Sequence, residues 1–311
     1  MAGRDWLAVY LKGAAMGAAD AVPGVSGGTI ALITGIYERL VGAIAALDPV
    51  EALGLLALVP RLGSADAREE LWESLVRMDV PFLALLGVGV VTAVVTVANV
   101  VHVAINDFPG VTFAFFFGLI AASVVVLLSE VTLDTPGRVA AAVVGFALAF
   151  VLSAQAQTGA LPDVLPVVFL AGAVAICAMV LPGVSGSLLL LTLGLYDTMT
   201  SAVSESTDAV LGGDFGAAVD PVSTLVVFTA GAVVGVLSFA RVVEWALENY
   251  RAATLTFLVA LMAGALRAPA IQISDANPEW TAASAGGVLV AGVLGAAVVL
   301  VLDATTDDLD Y

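Results

Sequence analysis

Ten apolar segments of 16 to 23 residues alternate with polar links, at about 7–22, 28–46, 81–102, 110–129, 137–155, 164–181, 187–204, 222–244, 252–270 and 284–302. Runs of this length predict helices that lie in a bilayer, whose hydrocarbon core takes roughly 20 apolar residues to cross. The first two segments are separated by Pro23-Gly24-Val25-Ser26-Gly27, and the sixth and seventh by Pro182-Gly183-Val184-Ser185-Gly186, 159 residues later. Proline removes a backbone donor and disfavours helical geometry in the residue before it. Helix is therefore expected to stop near Val22 and Leu181 and to restart just after Gly27 and Gly186. Twelve residues after each Pro comes Gly35 or Gly194, followed by Tyr37-Glu38 or Tyr196-Asp197. A second set of matches, Thr112, Phe115, Leu119 and Ala121 against Thr254, Phe257, Leu261 and Ala263, recurs at an offset of 142. The drop from 159 to 142 puts extra length in the first half, where the 47–80 link supplies it.

The distribution of cations sets a topology, because short loops rich in Lys and Arg stay cytoplasmic. If each broken pair is a re-entrant hairpin followed by three full spans, nine of the ten cations fall on one side: Arg4, Lys12, Arg39, Arg61, Arg68, Arg77, Arg138, Arg241 and Arg251. Only Arg267 falls on the other. If each pair is a single broken span, the division is four to six and carries no signal. Two full crossings per pair place the loops identically, so parity leaves that variant open. The expectation is an all-α integral membrane protein with an inverted structural repeat, each half a re-entrant helical hairpin plus about three transmembrane helices. The first repeat is 1–155, with its hairpin at about 7–46, a cytoplasmic loop at 47–80 and three spans. The second, inverted repeat is 156–311, with its hairpin at about 164–204, three spans and an acidic tail. Three spans per half invert the second half, place both termini in the cytoplasm and bring the two hairpin tips together near the midplane. The 64–77 stretch predicts a short amphipathic helix, with Asp66 and Glu69 at capping-box spacing and Trp72, Leu75 and Val76 on one face. It lies either on the cytoplasmic membrane surface or as a solvated loop helix.

Composition agrees with a membrane protein: 61% of residues are hydrophobic and 12% charged, against about 25% charged in soluble domains. Mean hydropathy is +1.08. The formal net charge is −17 and Lys12 is the only lysine among ten cations, with acids gathered at 48–79, 205–220 and 303–310. Such a surface suits a high-salt cytoplasm, so a halophilic microbe is expected, and it argues against nucleic acid as a partner. The single cysteine, Cys177, reads as a small buried apolar residue. No secretory signal is expected, because Lys12 breaks the first apolar stretch and Asp20 sits where small neutral cleavage residues belong.

Helix-breaking segments at matched positions in two halves point to a transporter's binding site. Broken backbone inside a bilayer is tolerated only where protein or a polar cavity satisfies it. Each restarted helix begins with unpaired N–H groups and a partial positive charge, which suits phosphate or carboxylate. Ser26 and Ser185 are placed to cap those helices or to donate to a ligand, and Gly24, Gly27, Gly183 and Gly186 allow close backbone approach. Thr29 and Ser187, in the first turns, offer further hydroxyls. The plainer reading is a kinked, internally capped helix. Asp20 is an intramembrane carboxylate whose counterpart is Met179, so it breaks the symmetry and is a candidate for a coupling role, with a proton or cation. Its plainer reading is a local cap. Arg267 is a candidate for attracting an anionic headgroup on the outer side; snorkelling is the alternative. Tyr37 and Tyr196 read as interfacial anchors, with Glu38 and Asp197 solvated beside them. One His and one Cys leave no zinc or haem site, no P-loop is present, and no cofactor is expected. The frequency of small residues in the spans allows close helix packing or a homodimer.

Ala19-Asp20-Ala21-Val22-Pro23-Gly24-Val25-Ser26-Gly27-Gly28-Thr29, with Gly35-Ile36-Tyr37-Glu38, resembles the opening signature of the PopT-type polyprenyl-phosphate transporter family. Leu181-Pro182-Gly183-Val184-Ser185-Gly186-Ser187, with Gly194-Leu195-Tyr196, is similar to its second signature. Phe116-Phe117-Gly118-Leu119-Ile120 and Leu261-Met262-Ala263-Gly264-Ala265-Leu266-Arg267 resemble two later family segments, the latter with Ala265 in place of Ser. The resemblance implies a flippase that returns a polyprenyl phosphate carrier from the outer to the cytoplasmic leaflet of the cell membrane, for reuse in cell-envelope glycan or glycoprotein synthesis. The carrier is undecaprenyl phosphate in bacteria; a dolichyl-type phosphate follows if the acidic composition marks an archaeon. The alternative is a small-anion channel or exchanger built on the same helix ends.

Overall fold

The computed structural model describes residues 3–20, 25–56, 60, 63–153 and 162–306. Among these the regular elements are helices: α1 (Gly3–Asp20), α2 (Gly27–Ile33), α3 (Tyr37–Ala45), α4 (Pro49–Leu56), α5 (Ala65–Arg77), α6 (Val80–Asp107), α7 (Pro109–Leu127), α8 (Pro136–Leu152), α9 (Leu165–Val180), α10 (Gly186–Thr192), α11 (Tyr196–Gly212), α12 (Phe215–Ala265), α13 (Arg267–Ala276) and α14 (Ala282–Thr306). By length and composition, three stretches suffice to cross a membrane: Pro109–Glu130, Phe215–Ala276 and Ala282–Val301. The number rises to five if each sharply bent helix pair counts as one span. Helices α8 and α9, at 17 and 16 residues, are apolar but shorter.

The Pro182-Gly183 segment interrupts helix where the sequence predicts. Helix α9 ends at Val180 and α10 restarts at Gly186 with Ser185 as its N-cap. Helix α1 ends at Asp20 and α2 restarts at Gly27 with Ser26 as its N-cap; Pro23 and Gly24 lie outside the described residues. Helix α2 runs back alongside α1. Gly27 meets Asp20 at the tip, and Lys12 Nζ donates to Thr34 O at 2.7 Å near the base. Seven residues rise only about 10 Å, a third of the hydrocarbon core, so neither α2 nor α10 crosses by itself. Gly35 and Gly194 then turn the chain at φ 69° and 70°, a left-handed conformation that glycine adopts without steric cost. Helix α3 leaves α2 at 116°.

The fifty-one residues of α12 are not one rod. Tyr250 has non-helical angles, φ −138° and ψ 38°. Thr254 Oγ1 donates to Ala246 O at 3.0 Å, although eight residues of straight helix span about 12 Å. The chain therefore doubles back at Tyr250. Phe108, 142 residues earlier, has φ −135° and ψ 49°, and Thr112 Oγ1 donates to Ala104 O at 2.9 Å. At this offset of 142, residues 222–249 and 251–265 correspond to 80–107 and 109–123, and the two bends have the same form.

Packing repeats as well. Helix α1 lies along α6 as α9 lies along the first part of α12, and α7 pairs with α14 as the second part of α12 pairs with α8. The contacts agree residue by residue: the Cα of Gly13 faces Leu86 O and that of Gly172 faces Phe228 O, while Gly89 faces Tyr10 O and Gly231 faces Phe169 O. Each hairpin's first arm is thus seated on a long helix through glycine. Helix α14 packs on α7 with Gly295 against Phe115 O, and α8 packs on the second part of α12 with Gly145 against Phe257 O.

One end of the bundle gathers cations: Arg39 pairs with Asp79 at 2.7 Å, Arg251 with Glu38 at 2.9 Å, and Arg241 donates to Leu47 O at 2.9 Å. The predicted amphipathic helix forms as α5, with Trp72 and Val76 exposed. Its cap differs from the expectation. Ser64 Oγ accepts from Ala67 N, because Ser64 is the extended residue that opens the helix, and Asp66 lies already inside it.

Candidate functional site

The two helix breaks meet. Ser26 Oγ donates to Leu181 O at 3.2 Å and accepts from Gly28 N at 3.2 Å. Thr29 Oγ1 accepts from Gly183 N at 2.9 Å. Gly28 lies so close to the second break that a Cβ there would sit 2.8 Å from Val180 O. Both hydroxyls of the first segment therefore brace the second, satisfying an N–H and a C=O that the break at Pro182-Gly183 frees. Ser26 and Thr29 are buried, at 2% and 0% exposure. Gly183 takes φ 84°, so its carbonyl and N–H are aimed by a conformation that other residues rarely adopt.

At the first break Asp20 Oδ1 accepts from Gly27 N at 2.6 Å. The protein's own carboxylate thus occupies the start of α2. At the second break Met179 takes Asp20's place and packs against Gly186. There Ser185 Oγ caps Leu188 N at 3.4 Å and shares a hydrogen bond with Ser187 Oγ at 2.9 Å. The two tips are therefore unequal: the first is internally neutralised and the second presents a hydroxyl pair. A crevice beside the second tip is lined by Gly183, Ser185, Leu188, Ser153 and Ala268. Ser153 escaped the sequence reading, since it closes α8 and nothing near it in sequence marks it.

Arg267 opens α13 next to Ala268. Its Nη1 donates to Phe150 O at 2.9 Å and its guanidinium lies 4.2 Å over the Phe150 ring. It is joined to the end of α8 through Phe150, and its neighbour Ala268 lines the crevice. Gly24 lies outside the described residues, and Gly27 and Gly186 both sit where a Cβ would clash, at 2.5 Å from Asp20 Oδ2 and from Met179 Cγ.

Two expectations change. Tyr37 is 1% exposed, no interfacial anchor, because Gly35 turns α3 into the core. Glu38 is not solvated alone: Arg251 reaches it at 2.9 Å and Glu130 at 3.5 Å. Its partner lies 213 residues away, beyond any local pattern. The letters Gly24-Val25-Ser26-Gly27-Gly28 also match a serine nucleophile elbow, which needs a strand before the turn. A helix precedes this one, and Ser26 Oγ is engaged with Leu181 and Gly28. Among the described residues no three His, Cys, Asp or Glu side chains gather to hold a metal ion.

Thr29→Val tests the brace between the breaks. The shape is kept and the acceptor for Gly183 N is lost, which costs about 1–3 kcal/mol for a buried unsatisfied group. Thermal unfolding should shift down by several degrees, while Thr29→Ser should stay near wild type. An unchanged midpoint in Thr29→Val would show that the brace carries no stability.

The chain is similar to known proteins. A family model described as undecaprenyl phosphate translocase-like matches residues 16–301. A polyprenyl-phosphate transporter of Vibrio cholerae serotype O1 is 36% identical over 288 residues, 92% of this chain and 84% of that one. A polyprenyl-phosphate transporter of Staphylococcus aureus is 27% identical over 272 residues, 84% of each chain. No solved structure matches.

Proposed function

We propose that this chain, which belongs to the undecaprenyl phosphate translocase-like family, is a multi-pass membrane transporter of polyprenyl phosphate. The cargo travels from the outer to the cytoplasmic leaflet, where the carrier is reused in cell-envelope glycan or glycoprotein synthesis. The observation that carries the reading is the junction of the two helix breaks, joined through Ser26 to Leu181 and Thr29 to Gly183. A bare phosphate cannot enter hydrocarbon without donors to replace its water. Two broken helices meeting inside an apolar bundle supply such donors where a continuous helix has none. In this reading the hairpins are re-entrant from opposite faces, the second half is inverted and both termini are cytoplasmic. The headgroup enters past Arg267 and Ser153, meets Ser185, Ser187 and the Gly183 backbone, and passes the junction when the brace opens. The isoprenoid tail stays in lipid. Asp20 couples the cycle to a proton or cation, since its carboxylate holds Gly27 N and competes with an arriving phosphate for that end of α2.

The test is inward movement of a fluorescent short-chain polyprenyl phosphate in reconstituted liposomes. Ser26→Ala/Ser185→Ala removes both helix caps, each worth about 1 kcal/mol, and should cut the rate about tenfold or more while the protein still folds and inserts. Wild-type transport by that variant removes the serines from the mechanism. Chloride or phosphate flux without lipid movement would replace this reading with a small-anion exchanger.

A further inference from the structure

A second polar feature lies away from the hairpin junction. A cavity of about 460 Å³ opens between the end of α2, the start of α3, the end of α7 and the turn at Tyr250. Its lining combines apolar Ile33, Leu127 and Leu255 with Tyr37, Glu38, Glu130 and Arg251. Tyr37 is the one described residue with a buried side-chain oxygen or nitrogen that has no hydrogen-bond partner. Such groups are rare in folded proteins and ask for an explanation. Arg251 is the first residue after the break at Tyr250, and its fork is shared between Glu38 at 2.9 Å and Glu130 at 3.5 Å. All three side chains are about half exposed, at 57%, 49% and 48%. Exposed pairs of this kind are weak and open readily, whereas a phosphomonoester offers a guanidinium two oxygens in matching geometry and up to two charges. The repeat makes the feature one-sided. Tyr37 and Glu38 have mates in Tyr196 and Asp197, but Arg251 falls opposite Pro109.

We propose that this cavity is a second docking site for a phosphomonoester headgroup. Arg251 holds the phosphate, Tyr37 supplies a hydroxyl donor, and Glu38 and Glu130 are counter-ions that leave Arg251 on binding and return to it on release. A lining that mixes apolar side chains with Arg251, Glu38 and Glu130 fits a phosphate joined to a hydrocarbon chain, and for that lipid source the inference rests on the function proposed above. The returning carboxylates keep the site from trapping its ligand.

The test is equilibrium binding to purified, detergent-solubilised full chain, using three probes: a short-chain polyprenyl phosphate, the matching neutral polyprenol and inorganic phosphate. The variants are built on the Ser26→Ala/Ser185→Ala background to weaken the junction. Arg251→Gln should lower affinity for the lipid phosphate about tenfold. Glu38→Gln/Glu130→Gln should raise it about tenfold and slow dissociation, and neither change should alter polyprenol binding. Should Arg251→Gln lose its fold, the glutamine pair still tests the idea, because a structural ion pair predicts no gain. A lipid-only response supports a lipid headgroup as the source; an equal response to inorganic phosphate supports free phosphate. Equal lipid-phosphate affinity across these variants, with wild-type chain still moving the lipid, overturns the docking site and leaves the transport reading standing. Wild-type chain that neither binds nor moves the lipid, and binds no phosphate, overturns both.

Discussion

Asp20→Ala is expected to cut polyprenyl phosphate transport by roughly ten- to a hundredfold. The carboxylate accepts from Gly27 N at 2.6 Å, and packs so closely that a Cβ on Gly27 would lie 2.5 Å from Oδ2. A hydrogen bond to a charged group contributes about 1.5–3 kcal/mol, and each 1.36 kcal/mol is about tenfold in rate. The loss falls at the tip that braces the second break, because Ser26 directly precedes Gly27 and Thr29 comes two residues after it. Asp20→Asn separates two roles. It keeps an acceptor for Gly27 N but carries neither charge nor an exchangeable acid proton. If Asp20 couples transport to protons, Asn should restore thermal stability and downhill movement yet remove acceleration by an imposed proton gradient. If Asp20 only caps α2, Asn should behave as wild type in all three measurements. Wild-type transport by Asp20→Ala would falsify both roles.

The helix breaks were legible because their cause is local. Proline and glycine stop a helix wherever they fall, so Pro23-Gly24 and Pro182-Gly183 announce breaks without reference to tertiary structure, and Gly35 and Gly194 take the left-handed turns that glycine allows. The chain reversal at Phe108 was half legible, since Pro109-Gly110 follows it. Its mate at Tyr250 has neither residue and is visible only through the offset of 142. The direction of each hydroxyl was not legible. Ser26 and Ser185 occupy matched positions, but Ser26 reaches Leu181 O and Ser185 reaches Ser187, because the opposing tip lies against one and a crevice against the other. The Arg251 cluster was hidden for a different reason: Glu38, Glu130 and Arg251 come from three distant segments that only the packing of α3 and α7 on α12 unites.

Gly231→Leu is expected to abolish folding, and Gly89→Leu, its repeat mate, to do the same. A Cβ at Gly231 would lie 1.9 Å from Phe169 O, and one at Gly89 would lie 2.2 Å from Tyr10 O. In both places the obstacle is backbone, so no rotamer change relieves it and the paired helices must separate. Overpacking a core with side-chain atoms costs about 1–3 kcal/mol; forcing two backbones apart also breaks the close packing along their shared length, where small residues hold membrane helices together. Against a total stability of about 5–15 kcal/mol, that leaves little folded protein. The control is Gly286→Leu in α14, where nothing lies within 4 Å of the added Cβ; it should fold and unfold near the wild-type temperature. Size-exclusion profiles and thermal unfolding of the three variants make the comparison. The matched outcome matters for function, because α1 and α9 are the arms that carry the two tips. If Gly89→Leu and Gly231→Leu both fold, the arms are not seated on α6 and α12 as rigid pairs, and the junction of Ser26 with Leu181 and Thr29 with Gly183 has no fixed frame to hold it.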